Sequence, residues 1–408
     1  MERALQIIEM DAERDLTSRG SNQSGMRAYN ERLVLTLIRQ AGLVAKAEIA
    51  RKTGLSAQTV SVIMRSLEAD GLLEKGKPVR GKVGQPSVPM NLARDGAFFL
   101  GLKVGRRSLE LVLTDFLGAV VDRIQEPQTY PEPDGVVEFA ARAAATLVDR
   151  LLPVHQPRVA GMGIALPFQL WDWSDRLGAP RGEMGAWRDR DVRAEIDGKS
   201  DFPVLLCNDA SAACGAELVF GEQNRPRDFL YFFVGFFIGG GLVLNDVLYT
   251  GRTGNAAALG SLRISKSDGE ARQLVDVASL ASLKDALVNV GEGEAMPWDA
   301  PEDWRVPEKM LDNWLNEAAA GMAQAILSSV CTIDVGHVLI DGLMPVAIRA
   351  ELVRRIALSL EENSMPGVDT PVVSEGTIGS DARALGAASL PLSERFLVDR
   401  NAFLKGPN

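Results

Sequence analysis

Gln58 and Arg65 stand seven residues apart in the segment KAEIARKTGLSAQTVSVIMRSLEADGLL, two turns along one face if the segment is helical. A glutamine amide pairs bidentately with adenine and a guanidinium with guanine in the DNA major groove. Ser56, Thr59 and Ser61 can donate to phosphates near the start of the same helix, where the helix dipole also favours anions. Ala57 and Val62 share the outward face, while Leu55, Val60, Ile63 and Leu67 have the spacing to bury the opposite one. Further on, Lys77 and the slim cationic triplet Arg80-Gly81-Lys82 suit phosphates and a narrow A·T-rich minor groove. The reading against this is a plain helical hairpin with a solvated charged face. Charge weighs against that reading. The whole chain of 408 residues carries −10, yet residues 22–94 hold 12 Lys/Arg against 5 Asp/Glu, leaving −17 on the rest. A basic module on an acidic body is expected when only one end meets phosphate.

The elements needed to position these residues are legible nearby. Residues 26–41 form a helix with Leu33, Leu37 and Ile38 on one face, widened by Val34 and Leu35. A short helix over 47–53 ends at Gly54, where a turn needs positive φ, and Ala50 is small where two helices would cross. Ser56 caps the next helix, which runs to about Asp70. Two short strands around a basic Gly/Pro-rich loop follow, completing a winged helix-turn-helix over 22–94 behind a loose helical extension at 1–21.

Beyond residue 94 the texture is α/β. Apolar strand-like runs (FFLGLKV, LELVLTDF, VLLC, FLYFFVGFFI, GHVLI) alternate with helical stretches, and similar Gly-bearing hairpin starts near Gly101 and Gly239 hint at a duplicated two-lobed body. Asn208-Asp209 follows the run PVLLC and precedes a helix, the place where ligand sites collect in open α/β sheets. Asp209 is read either as a ligand-binding carboxylate or as the cap of that helix. Trp171, Trp173 and Trp187 are read as core or as a stacking surface for a ring. Three cysteines fit a reducing compartment, and no apolar run of 18 residues exists, so a cytoplasmic protein without a membrane span is expected. His155 and His337 are isolated and are read as structural.

Five segments resemble the ROK family of repressors and sugar kinases: LGLKVGRRSLELVLTDFLGAVV, GMGIALP, PVLLCNDASAACGAELVFG, IGGGLVLNDVLYTGRTGNAAALG and IGSDARALGAASL. The resemblance covers about 20–397. It implies an actin-like, sugar-kinase-like body of ribonuclease H type over 95–408, with lobe one at about 96–208 plus the C-terminal helix and lobe two at about 209–385. It also implies a ligand site drawn from Pro167, Phe168, Asn208, Asp209, Asn255, Ala258 and Ser261. The departures from the family pattern matter as much. Lys103 stands where family kinases carry an acidic residue, and a lysine cannot hold Mg²⁺. Arg106 and Arg107 lie near a usual Thr or Ser. Phe236-Phe237 replace a small pair in the second phosphate loop, leaving Gly239, Gly240 and Gly241 as a phosphate cradle or a tight turn. Ser211 replaces an Asn, Phe168 a Gly, and Ala258 and Ser261 replace a Glu and a His. Residues 261–276 lack the Cys and His of the family's zinc signature.

The sequence therefore leads to a DNA-binding regulator without enzymatic activity, metal or cofactor. Its expected partners are an inverted-repeat duplex operator, a sugar-like effector and a second or further copy of itself. A regulator controlled only by a protein partner, and a sugar kinase, remain as rivals.

Overall fold

In the computed structural model the described residues are 23–78, 88–173, 181–222, 224–265, 271–297 and 302–398. The chain divides into two compact units. One holds the residues up to Ala93 together with Phe396–Val398, and the other runs from Arg94 to Arg395. The N-terminal extension and the wing tip with Arg80, Gly81 and Lys82 lie outside the described residues.

The first unit opens with α1 (Gln23–Ala41), α2 (Lys46–Thr53) and α3 (Ala57–Ala69). Helix α1 buries Val34, Leu35 and Ile38, so its inner stripe is rotated from the expected one and Leu33 and Leu37 are only half-buried. Gly54 ends α2 at φ 72°, a conformation that costs a residue with a Cβ but not glycine. Ser56 caps α3, its Oγ accepting from Thr59 N at 3.1 Å. Val60, Ile63, Met64 and Leu67 turn inward from α3. Strands β1 (Leu73–Lys75) and β2 (Met90–Leu92) pair antiparallel, and Val44 bridges to Met90. The main chain of Val398 closes this unit from the other end of the sequence, donating to Thr36 Oγ1 at 3.0 Å.

The second unit holds two five-stranded sheets. The first is built from β3 (Phe98–Val104), β4 (Ser108–Thr114), β5 (Val120–Pro127), then α4 (Pro133–Asp149), β6 (Val159–Leu166), α5 (Arg181–Asp189), α6 (Val192–Asp197) and β7 (Val204–Asn208). Helix α7 (Asp209–Phe220) follows. The second sheet has β8 (Phe229–Val234), β9 (Ile238–Leu244) and β10 (Val247–Leu248), then the small hairpin β11 (Arg263–Ser265) and β12 (Ala271–Gln273). Helices α8 (Val275–Ala278), α9 (Leu280–Asn289) and α10 (Glu308–Ile333) lead to β13 (His337–Gly342), α11 (Val346–Glu362), β14 (Val372–Glu375) and α12 (Ala382–Phe396).

The sheet orders are β5-β4-β3-β6-β7 and β10-β9-β8-β13-β14. Each is an antiparallel three-strand meander continued by two parallel strands, so the same topology occurs twice. Strands β3 and β6 are buried on both faces, with Lys103 the one charged residue in them, whereas β5 alternates half-buried and exposed residues and lies at the edge.

Two expectations change here. The run FLYFFVGFFI is not one strand: Gly235-Phe236-Phe237 form the turn between β8 and β9. Nor are Gly239, Gly240 and Gly241 a tight turn, since they lie within β9. A Cβ on Gly239 would come 2.6 Å from Ala210 Cβ, and one on Gly241 would collide with Cys214, so the triplet lets β9 pack against α7. Phe236 and Phe237 pack their rings 4.8 Å apart, and Phe237 touches the hydrophobic cores of both lobes.

Candidate functional site

Two surfaces carry candidate chemistry. In the first unit, capping and the inward aliphatics fix the rotation of α3. Ala57, Gln58, Val62 and Arg65 are thereby exposed, with Thr59 and Ser61 half-buried beside them. Ser56 is exposed but its Oγ is occupied by Thr59 N and by Thr59 Oγ1, so it is a cap before it is a phosphate donor. Arg65 Nε rests on Ser61 O at 3.2 Å, which leaves the rest of its guanidinium directed away from the backbone. Val62 is 47% exposed on the same face, where its methyl groups could meet a thymine methyl. Lys77 is exposed at the start of the wing loop.

In the second unit all seven residues expected at the ligand site, Pro167, Phe168, Asn208, Asp209, Asn255, Ala258 and Ser261, line one cavity of about 110 Å³. It adjoins a larger one of about 410 Å³, and Pro167, Phe168, Gln169 and Asn255 border both. Two non-glycine residues on the wall, Gln169 and Ala257, hold φ of 56° and 54°. Such backbone persists where the surroundings over-determine it, commonly at ligand sites.

Asn208 caps α7, its side-chain oxygen accepting from Ala210 N at 3.0 Å and Ser211 N at 3.3 Å. The reading of Asp209 as that cap is thus corrected: Asn208 has the geometry and Asp209 is the first helical residue. The Asp209 carboxylate instead lies 3.5 Å from an Arg383 nitrogen. Ser211 is buried and lies off the cavity wall.

Sequence reasoning treated Lys103 and Arg106 as losses from a phosphate loop and missed their surroundings. Lys103 pairs with Glu110, its cross-strand partner in the β3–β4 register. Glu110 also accepts from Arg123 at 3.1 Å, and Arg123 reaches Asp381 at 2.7 Å. Burial draws the Lys103 ammonium below its ordinary value, with Glu110 opposing. Arg106 is buried on the cavity wall with its guanidinium 4.2 Å from the centroid of the Phe237 ring. The alternation of types in LELVLT, with one charged residue among aliphatics, was the available signal for a buried ion pair.

The aromatic cluster divides. Trp187 is buried, its Nε1 donating to Pro131 O at 2.9 Å, and it lines the larger cavity together with half-buried Trp171. The side chain of Trp173 lies outside what is described. His155 is satisfied by Asp95 at 3.3 Å and by the Phe98 ring, and His337 is exposed. Among the described residues no cluster of three His, Cys, Asp or Glu could hold a metal, and no helix is long and apolar enough to cross a membrane.

Comparison with known proteins follows the same division. Residues 27–74 match a family model described as winged helix-turn-helix DNA-binding, and residues 99–394 match that of the ROK family. The chain is 28% identical over 372 residues to the uncharacterized protein y4fQ of Sinorhizobium fredii, covering 91% of this chain and 92% of that one. It is 23% identical over 244 residues to the xylose repressor of Bacillus spizizenii, covering 60% and 62%. The solved structure of a ROK family transcriptional regulator, a homologue of the E. coli MLC protein, aligns with a TM-score of 0.66 at 19% identity, over 91% of this chain and 97% of the other. A helix-turn-helix with an open outer face, twin sheets of one topology and a match spanning 99–394 converge on one assignment: this chain belongs to the ROK family and carries an N-terminal winged helix-turn-helix.

Proposed function

We propose that this protein is a transcriptional repressor that binds an inverted-repeat operator as a homodimer and responds to a sugar-class effector held in the smaller cavity of its body. The observation that carries the reading is the convergence of Pro167, Phe168, Asn208, Asp209, Asn255, Ala258 and Ser261 on one wall, in a chain whose α3 leaves Gln58, Val62 and Arg65 open. The repressor names of the aligned relatives support it. Arg80, Gly81 and Lys82, outside the described residues, are part of the proposed DNA surface by their charge and sequence.

Binding, and not phosphoryl transfer, is the chemistry these residues favour. Lys103 occupies the family's acidic position and is committed to Glu110. Phe237 brings bulk into the second phosphate loop. Asp209 can accept a sugar hydroxyl, but family kinases use that carboxylate beside a phosphate-holding loop that is altered here. Effector binding that shifts the lobes need supply only about 1–3 kcal/mol of coupling to change operator affinity by about 5–150-fold.

The test is selection of operators from random duplex followed by footprinting and a pentose and hexose panel. A footprint with dyad symmetry and half-sites spaced by about 10 bp or a multiple is expected. A footprint without dyad symmetry counts against the dimer. Sugar-dependent ADP release would overturn the non-enzymatic reading. In the same assay Asp209→Asn should remove the effector response; a variant that responds normally would show that the ligand sits elsewhere.

A further inference from the structure

Removing a guanidinium from water without a partner is costly, so a buried arginine with an idle nitrogen marks a place where something else is expected. Among the described residues only a few buried side-chain nitrogens lack a hydrogen-bond partner, and two of them are Arg106 Nε and Arg383 Nε. Both belong to one cluster. Its cations are Lys103, Arg106, Arg123 and Arg383, and its carboxylates are Glu110, Asp209 and Asp381. Four positive charges face three negative ones. Lys103, Arg123 and Arg383 each have a carboxylate within ion-pair reach, and Arg106 has none. Arg106 is 9% exposed, lines the cavity, and is held in place by the Phe237 ring beneath it. Burial pulls its pKa down to about 10; the Asp209 carboxylate opposes this from beyond ion-pair reach, and Arg383 adds a smaller push in the same direction as burial.

We infer that the effector is an anionic polyol, a sugar acid or sugar phosphate, whose charged group pairs with Arg106 while its hydroxyls reach Asp209 and Asn255. This rests on the proposed effector site and names the chemical class it takes. The excess cation of the cluster supplies the complementary charge, and a planar guanidinium matches the two oxygens of a carboxylate or phosphate. Asp209 stays compatible with an anion in the same cavity because Arg383 lies against it. A neutral sugar leaves Arg106 buried and unpaired, so the site discriminates by charge.

The experiment uses the full-length protein with matched sets of pentoses and hexoses, each as the neutral aldose, the uronate or aldonate, and the phosphate ester. Inorganic phosphate is included, and thermal shift and calorimetry are the readouts. The expected result is an anionic member binding at least about tenfold more tightly than its neutral counterpart, a preference that Arg106→Met removes. The carboxylate and phosphate arms distinguish the two sources of charge. Without ligand, Arg106→Met should melt no lower than the unmodified protein, because it removes an unpaired buried charge. A marked fall in that melting temperature would assign Arg106 a structural role and overturn the inference. Equal binding of neutral and anionic sugars overturns it while leaving the effector site standing. No binding by any member overturns both.

Discussion

Arg65 is the residue on which base recognition is most directly tested. Its guanidinium stands on the open face of α3, anchored through Nε to its own helix. Arg65→Ala should cost about 1–3 kcal/mol of operator affinity and relax specificity at one base position, read by titrating operator variants. A uniform loss across sequences would reassign it to phosphate. Cysteine chemistry gives a second residue-level expectation. Burial pushes the Cys207 thiol up to about 12 and Cys214 well above its ordinary value, whereas Cys331 is exposed. Thiolate is the reactive form, so one thiol of three should react with a disulfide reagent at pH 8 in the native protein, and all three after unfolding. A native count above one would contradict the burial of Cys207 and Cys214. At this scale the sequence conveys residue type well and partnership poorly. The outward run of α3 follows from helical spacing, but Asn208 rather than Asp209 as the cap does not, since both suit the role chemically and only the backbone at the strand end decides. The pairing of Lys103 with Glu110 is similarly a matter of strand register.

Among the elements, α12 packs against its neighbours at main-chain distance. A Cβ on Gly386 would collide with the main chain of Ala212 in α7, and the glycines of β3 and β6 at 101 and 163 meet the main chain of α12 at Ala384 and Ala387. Helix and strands therefore touch backbone to backbone, a distance that no side chain can bridge without moving an element. Gly386→Val should lower stability by about 1–3 kcal/mol or more, measured as a lower denaturant midpoint; an unchanged midpoint would mean that α12 has room to shift. Strand β6 is legible from its continuous apolar run, and the two helices around Gly54 from their punctuation. The turn inside FLYFFVGFFI is not, because phenylalanine is a strand former and Gly235 alone gives weak notice of a break. The glycines of β9 mislead for a related reason. Glycine marks both turns and close approach, and choosing between them requires knowing what lies opposite.

On the scale of the whole molecule, the duplication of one sheet topology was foreshadowed by the twin hairpin starts, while its five-strand order was not, because crossovers leave no local signature. One unit, in contrast, is not a continuous stretch of sequence. The winged helix-turn-helix is completed by Phe396–Val398, with Val398 bonded to Thr36. Ending the chain after Arg395 should therefore lower the melting temperature of the DNA-binding unit and weaken operator binding, although every residue of α3 is intact; unchanged operator binding would make the terminal segment dispensable. Seen as heredity and not as mechanics, this places two distant stretches of one gene under a single constraint. A recombination event that carries off the front of the gene as a cassette takes an incomplete part, and a late nonsense mutation damages the end of the protein that is translated first. Swaps between relatives of this architecture should succeed when both ends are exchanged together and lose function when the 5′ portion travels alone.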